Sequence, residues 1–196
     1  MWGGGAASPK REPSERVKAI LADLTLEQKI GQLNQLATNT VARNVYSHEL
    51  DAEKALAFAQ NNFIGSFLSP PTAVVGPPIN KTDMVKFIYD LQTIFVNNGA
   101  QLPLLLGSDA VHGHHYIRGA TIFPHQINLG AALNPALSMK MAEITAKDTR
   151  AVGFTWNFSP ILDIAQHPGW PRMFESFGED PHVRTLPPDP KMKWNK

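Results

Sequence analysis

The segment Leu102-Pro103-Leu104-Leu105-Leu106-Gly107-Ser108-Asp109-Ala110-Val111-His112-Gly113-His114-His115-Tyr116 changes character halfway along. Residues 102–107 form a short apolar run, the pattern of a strand buried on both faces. The residues that follow bring together an acid, a glycine and three histidines, a polar concentration placed at the strand's C-terminal end.

Upstream, Met84, Phe87, Ile88, Leu91, Ile94 and Phe95 fall on one stripe, which predicts a helix over 82–97 ended by Asn98-Gly99. Phe63-Ile64-Gly65-Ser66-Phe67-Leu68, closed by Ser69-Pro70-Pro71, reads as an earlier strand. An Ala-, Leu-, Glu- and Lys-rich helix is expected over 50–60. Val17, Ile20, Leu21 and Leu24 predict a first helix over 14–23, and Thr25 with Gln28 forms a capping-box pattern opening another. In that second helix Ile30 and Leu33 continue an apolar face.

Downstream, Asn134-Pro135 opens a helix to about 152, with Gly153 as its stop. Phe154-Thr155-Trp156-Asn157-Phe158 reads as a third strand. Strands alternating with helices imply a parallel sheet in an α/β architecture, whose sites form beyond the strands' C-terminal ends.

The 196 residues are 43% hydrophobic and 18% charged, enough apolar mass for one domain with a core. Lys+Arg (18) nearly balance Asp+Glu (17), and no basic stripe points to a nucleic-acid partner. The absence of cysteine excludes disulfides, thiolate metal sites and a cysteine nucleophile. No apolar run reaches the ~18 residues of a membrane helix, so no membrane partner is expected. No signal-peptide core is seen at the start, and the compartment stays open. Residues 1–13 read as a flexible tail and 184–196 as a Pro/Lys-rich divergent tail, leaving 14–183 as the domain.

Two clusters carry candidate chemistry. In the first, a carboxylate at Asp109 suits a sugar diol, since it accepts two hydroxyl hydrogen bonds at once, each worth roughly 1.5–3 kcal/mol when water is excluded. The same residues also suit a structural role, with Asp109 tying down its loop and the histidines bonding backbone. A rival reading is a metal site built from His112 and His114, completed by His125 and Asp163. His125, after Phe123-Pro124, is otherwise expected to hydrogen-bond locally. Asn157 and Asp163 flank the third strand's end and are candidates to line a pocket.

The second cluster is Gln166-His167-Pro168-Gly169-Trp170-Pro171-Arg172-Met173-Phe174-Glu175-Ser176-Phe177-Gly178-Glu179-Asp180-Pro181. Trp170 offers a flat face for stacking on a sugar, and Arg172 a planar donor fork. Paired carboxylates invite a glycosidase reading, yet Glu175 and Asp180 suit pairing with Arg172 or capping the next helix better. Glu179-Asp180-Pro181 has the form of a helix start.

Taken in order, these clusters resemble glycoside hydrolase family 3, the β-glucosidase and exo-glucanase group. The resemblance rests on Leu24 to Gln32, Gly107 to His114 with Ala120 to His125, Ser159-Pro160 to Asp163, Trp170-Pro171-Arg172, and Glu175 to Pro181. It covers about residues 16–183. It implies the N-terminal portion of a (β/α)8 TIM-type barrel, about three of its eight βα units, hence an incomplete barrel. It implies that Asp109 and Arg172 bind the non-reducing sugar in subsite −1. The implied reaction is retaining hydrolysis of a β-glucoside or oligosaccharide substrate through a covalent glycosyl-enzyme, with no metal or organic cofactor.

Where the family commonly has Arg-Trp-Gly-Arg, this sequence has Gly169-Trp170-Pro171-Arg172. The family's Lys-His pair, nucleophilic aspartate and acid/base glutamate lie further along than Lys196, so no catalytic residue is assigned here. An isolated chain of this kind is expected to be marginally stable and inactive. The competing expectations are a non-catalytic sugar-binding or interaction module and a metal-dependent hydrolase using the histidines.

Overall fold

A computed structural model describes residues 12–71 and 76–185. The expectations for residues 1–11 and 186–196 lie outside that range.

Local signals open the chain. Ser14 caps α1 (Glu15–Asp23), its side chain accepting from the Val17 N–H. Thr25 caps α2 (Leu26–Gln32) with the full reciprocal capping box to Gln28. Most apolar residues of these helices are exposed, and Ile20 is only half-buried, so no buried stripe forms. Val17 and Leu21 are each 45% exposed and Leu33 87%, while Gly31 is the buried residue of α2. A Cβ at Gly31 would meet the Asn62 carbonyl at 2.3 Å, so close packing at this point requires glycine.

The chain then forms β1 (Gln35–Ala37), a 3-10 turn (Thr38–Val41), α3 (Ala52–Asn62), β2 (Ser66–Leu68), α4 (Lys81–Asn98) and β3 (Leu105–Ser108). It continues with α5 (Gln126–Ala132), α6 (Pro135–Ala151), β4 (Trp156–Asn157), a second 3-10 turn (Met173–Glu175) and α7 (Pro181–Thr185). The sheet has four strands in chain order, every pairing parallel. It is open, as expected for part of a barrel, but holds four strands rather than three.

The extra strand is β1. Gln35-Leu36-Ala37 carries no β-branched or aromatic residue, and its strand state comes from pairing with Ser66-Phe67-Leu68. Helix α5 is also beyond the sequence expectations, since its heptapeptide Gln126 to Ala132 contains Gly130 and no strong apolar stripe. The other strands are shorter than expected. Phe63 takes a left-handed φ of 51° to end α3, so β2 begins only at Ser66. Helix α7 runs through Thr185, into the first two residues of the stretch expected as tail from 184, and the rest of that stretch lies outside the described residues. Asp180 supports its first turn, the side chain accepting from the His182 N–H at 2.7 Å.

The core lies between the sheet and helices α3 and α4. Phe67 and Leu106 from the strands meet Ala55, Ala59, Met84, Phe87, Leu91 and Phe95 from the helices, all buried. The Phe67 and Phe95 rings pack edge-on at 5.4 Å. Each fully buried side chain of this size contributes roughly 1.5–3 kcal/mol through apolar burial. Because the strands run parallel, their following loops share one end of the sheet, and both polar clusters emerge there.

Candidate functional site

Asp109 follows β3 directly, and its loop is fixed from both sides. On one side the Ser69 N–H donates to the Gly107 carbonyl at 2.8 Å. Ser69 has a positive φ of 59° at the end of β2, and Thr38 Oγ1 donates to its carbonyl. On the other side the Phe158 N–H donates to the Ser108 carbonyl at 3.0 Å, and Asn157 bonds the backbone of Ala110. Gly107 allows Phe158 to lie across the strand, since a Cβ there would meet its ring at 2.3 Å. Asp109 is thereby held half-buried.

Arg172 precedes the second 3-10 turn. Its Nε donates to both carboxylate oxygens of Glu175 at 3.0 Å, and Nη2 reaches Oε2 at 2.5 Å. This is a side-on bidentate fork, the strongest form of the pair. The turn is pinned by Ser176, fully buried, whose Oγ donates to the Met173 carbonyl at 2.9 Å.

The structure brings Asp109 and Arg172 into each other's electrostatic reach. Burial pushes the Asp109 carboxyl above its ordinary value, and the Arg172 charge opposes that shift most strongly. Glu175 adds to the rise, while a hydrogen bond from Ser69 and the charge of His115 act against it. Arg172 is held above its ordinary value first by Glu175, with Asp109 and Asp163 adding to the effect. Tyr116 is pushed up to about 12, by burial first and then by the Asp109 and Glu175 charges.

His112, His115 and His125 cluster, and His114 parts from them. His112 Nδ1 donates to the Phe123 carbonyl, 2.8 Å away, and its ring lies 4.0 Å from His125 and 5.0 Å from His115. His114 turns into the core with no exposed surface, 5.6 Å from the Phe154 ring, and neither ring nitrogen has a hydrogen-bond partner. Burial depresses its pKa to about 4. His115 and His125 are also lowered, by burial first and then by His112.

This overturns the metal-site expectation. The His-Gly-His spacing sends His112 and His114 to different surroundings, and among the described residues no group of three His, Asp or Glu side chains is placed to hold an ion. His125 hydrogen-bonds locally through its backbone, its carbonyl accepting from the Asn128 N–H at 2.9 Å, whereas its side-chain Nδ1 has no partner and the ring packs against His112 and edge-on to Phe174 at 4.6 Å.

Glu175 and Asp180 take the pairing and capping roles expected of them. Trp170 is half-buried beside Arg172, and Asp163 is exposed. Asn157 is a brace rather than a free pocket group, although it borders a cavity of about 600 Å³ between α5 and α6. Neither Asp109 nor Arg172 lines that cavity. Sequence reasoning passed over Gln126, which is 1% exposed. Its amide donates to the Val111 carbonyl at 3.3 Å and to Ser159 Oγ at 2.9 Å, and accepts from the Ile161 N–H at 3.1 Å. It joins the loops after β3 and β4; an isolated glutamine after Phe123-Pro124-His125 carries no local signal of that role.

The family model "Glycosyl hydrolase family 3 N terminal domain" matches residues 25–186. A lysosomal beta glucosidase of Dictyostelium discoideum is 36% identical over 182 residues, covering 87% of this chain and 21% of that protein. Among solved structures, a β-glucosidase of Erythrobacter marinus superposes with a TM-score of 0.70 at 30% identity, over 87% of this chain and 21% of its own. An exo-1,3/1,4-beta-glucanase of a Pseudoalteromonas species gives 0.69 at 28% identity, over 86% of this chain and 20% of its own. The chain thus spans about a fifth of the length of these relatives. Among the described residues no helix is long and apolar enough to cross a membrane.

Proposed function

The chain belongs to glycosyl hydrolase family 3, whose members are glycoside hydrolases, and from that membership we propose that these residues form the sugar-gripping part of a retaining, β-glucosidase-like enzyme. The substrate is a β-glucoside or oligosaccharide, and the bond broken releases a non-reducing terminal β-D-glucosyl residue. Residues 14–183 make up this part of the catalytic domain.

In this reading Asp109 accepts hydrogen bonds from ring hydroxyls, and Arg172 donates to the same pyranose in subsite −1. What supports it is the electrostatic coupling of these two side chains, far apart in sequence, each on a loop at the end of a parallel sheet where sites form. Holding the ring in one orientation is itself a large share of glycosidase catalysis, because it removes rotational freedom before bond breaking. The nucleophile and the acid/base belong to sequence outside these 196 residues, and the chemistry needs no metal or organic cofactor.

Calorimetric titration of the full chain with glucose tests the grip. Binding in the millimolar range is expected, weakened about tenfold or more by either Asp109→Ala or Arg172→Ala, the loss of one charge-assisted bond. Affinity unchanged in both variants overturns the reading. An aryl β-glucoside assay on the same chain is expected to give no turnover; reproducible hydrolysis would refute the placement of the catalytic pair elsewhere.

A further inference from the structure

We propose that Glu175 is a positioning residue that holds the Arg172 fork away from Asp109, keeping the space between them open for a sugar instead of closed by an ion pair. This inference rests on the assignment of Asp109 and Arg172 as the sugar-gripping pair.

The pairing is unequal. The Glu175 side chain is 13% exposed and the Arg172 side chain 57%, so a fixed, largely covered carboxylate anchors a solvent-facing cation. The anchor is braced on every side. The Glu175 N–H donates to the Arg172 carbonyl at 3.0 Å, Phe174 packs against His125, and the Phe177 backbone lies on α5 at Gly130. A carboxylate held this way fixes the plane of the guanidinium as well as its position.

The mode of contact leaves the working part of the fork free. A guanidinium has five N–H donors. Glu175 takes the one on Nε, shared between its two oxygens, and one on Nη2, and among the described residues Arg172 makes no other hydrogen bond through its side chain. Both Nη1 donors and the second Nη2 donor therefore remain for neighbouring hydroxyls.

Asp109 is the competing partner. It is partly desolvated and feels the Arg172 charge, yet among the described residues it makes no direct ion pair with any cation. The charged groups facing it are Arg172, Glu175 and His115, with Ser69 as a hydrogen-bond donor. Arg172 has one further acid in reach, the exposed Asp163. A half-buried carboxylate gains more from a direct cation than an exposed one, because less water competes. Freed from Glu175, the fork closes on Asp109, and the two sugar-binding groups neutralise each other.

A double-mutant cycle read on Asp109 tests this without sugar. The Asp109 carboxyl is titrated by carbon-13 NMR in the full chain, in Glu175→Gln, in Arg172→Ala, and in the double variant. Removing the Glu175 charge lowers the Asp109 midpoint in either background. Closure of the fork adds about one further pH unit only where Arg172 is present. Equal shifts in the two backgrounds overturn the proposal. Glu175→Asp, which keeps the charge on a shorter arm, is expected to leave Asp109 near its wild-type midpoint; a shift as large as that of Glu175→Gln also overturns it. Glucose affinity in Glu175→Gln falls about tenfold, the same loss as removing one charge-assisted bond. If Asp109→Ala and Arg172→Ala both weaken glucose while the cycle is additive, only the role of Glu175 falls. If neither weakens glucose, the sugar-gripping assignment itself falls, whatever the cycle gives.

Discussion

Asn157 grips Ala110 with both ends of its amide: Oδ1 accepts from the Ala110 N–H at 3.1 Å, and Nδ2 donates to the Ala110 carbonyl at 3.2 Å. This two-point clamp ties β4 to the residue next to Asp109, and so fixes where the carboxylate points. Asn157→Leu has nearly the same volume and neither hydrogen bond. It leaves two polar backbone atoms of a buried residue unpaired, a loss of about 2–4 kcal/mol. The urea midpoint should fall accordingly. Asn157→Ser, which water can supplement, should lose less; equal midpoints for wild type and Asn157→Leu would remove the clamp from the account.

His114 makes stability depend on pH. Its folded-state pKa is about 4 against 6.5 for an unperturbed imidazole, the burial of the ring being the main cause. The unfolded chain therefore takes up this proton first as pH falls. The contribution is intact above pH 6.5, declines below it, and is exhausted near pH 4, with a total of about 3 kcal/mol. His115 and His125 act in the same direction. Urea unfolding at about pH 7.5 and about pH 5 should show a clear loss in the wild-type chain and a smaller loss in His114→Leu. The same loss in both would mean that the proton goes elsewhere.

Gly130 is where α5 carries the Arg172 segment. A Cβ there would stand 2.1 Å from the Phe177 carbonyl oxygen and 2.9 Å from its carbon. Alanine gains about 1 kcal/mol of helix propensity over glycine, but a clash with backbone cannot be relieved by a rotamer change. The clash wins, and Gly130→Ala should be destabilised by about 1–3 kcal/mol, with weaker glucose binding as the Arg172–Glu175 turn is displaced. Gly178→Ala is the control: its φ of 109° is strained, but no atom lies within 4 Å of the added carbon. If the two variants bind glucose equally well, α5 does not position the turn.

Features governed by near neighbours were legible in the amino-acid order. The Asn134 cap and the Thr25–Gln28 box appear where expected, because each is a hydrogen bond between groups two or three residues apart. The stripe from Met84 to Phe95 became the buried face of α4 for a similar reason, since helical geometry alone puts those residues on one side. The parallel α/β order, and the placing of both polar clusters beyond strand ends, followed from the same local readings.

What tertiary structure decided were matters that no short window contains. Gln35 to Ala37 is a strand only because β2 offers it partners, and Gln126 is a brace only because two distant loops pass on either side of it. His112 and His114 are two positions apart in one motif, yet one meets the Phe123 carbonyl and the other the Phe154 ring. Asp109, Arg172 and the Arg172–Glu175 pair, three residues apart, could be named from sequence, but the half-burial of Asp109 and its electrostatic coupling to Arg172 depend on how the loops after β3 and β4 fold back on each other. Caps and helical stripes are set by bonds spanning one turn, whereas the distance between two loops is fixed by the packing of the whole sheet and its helices beneath them.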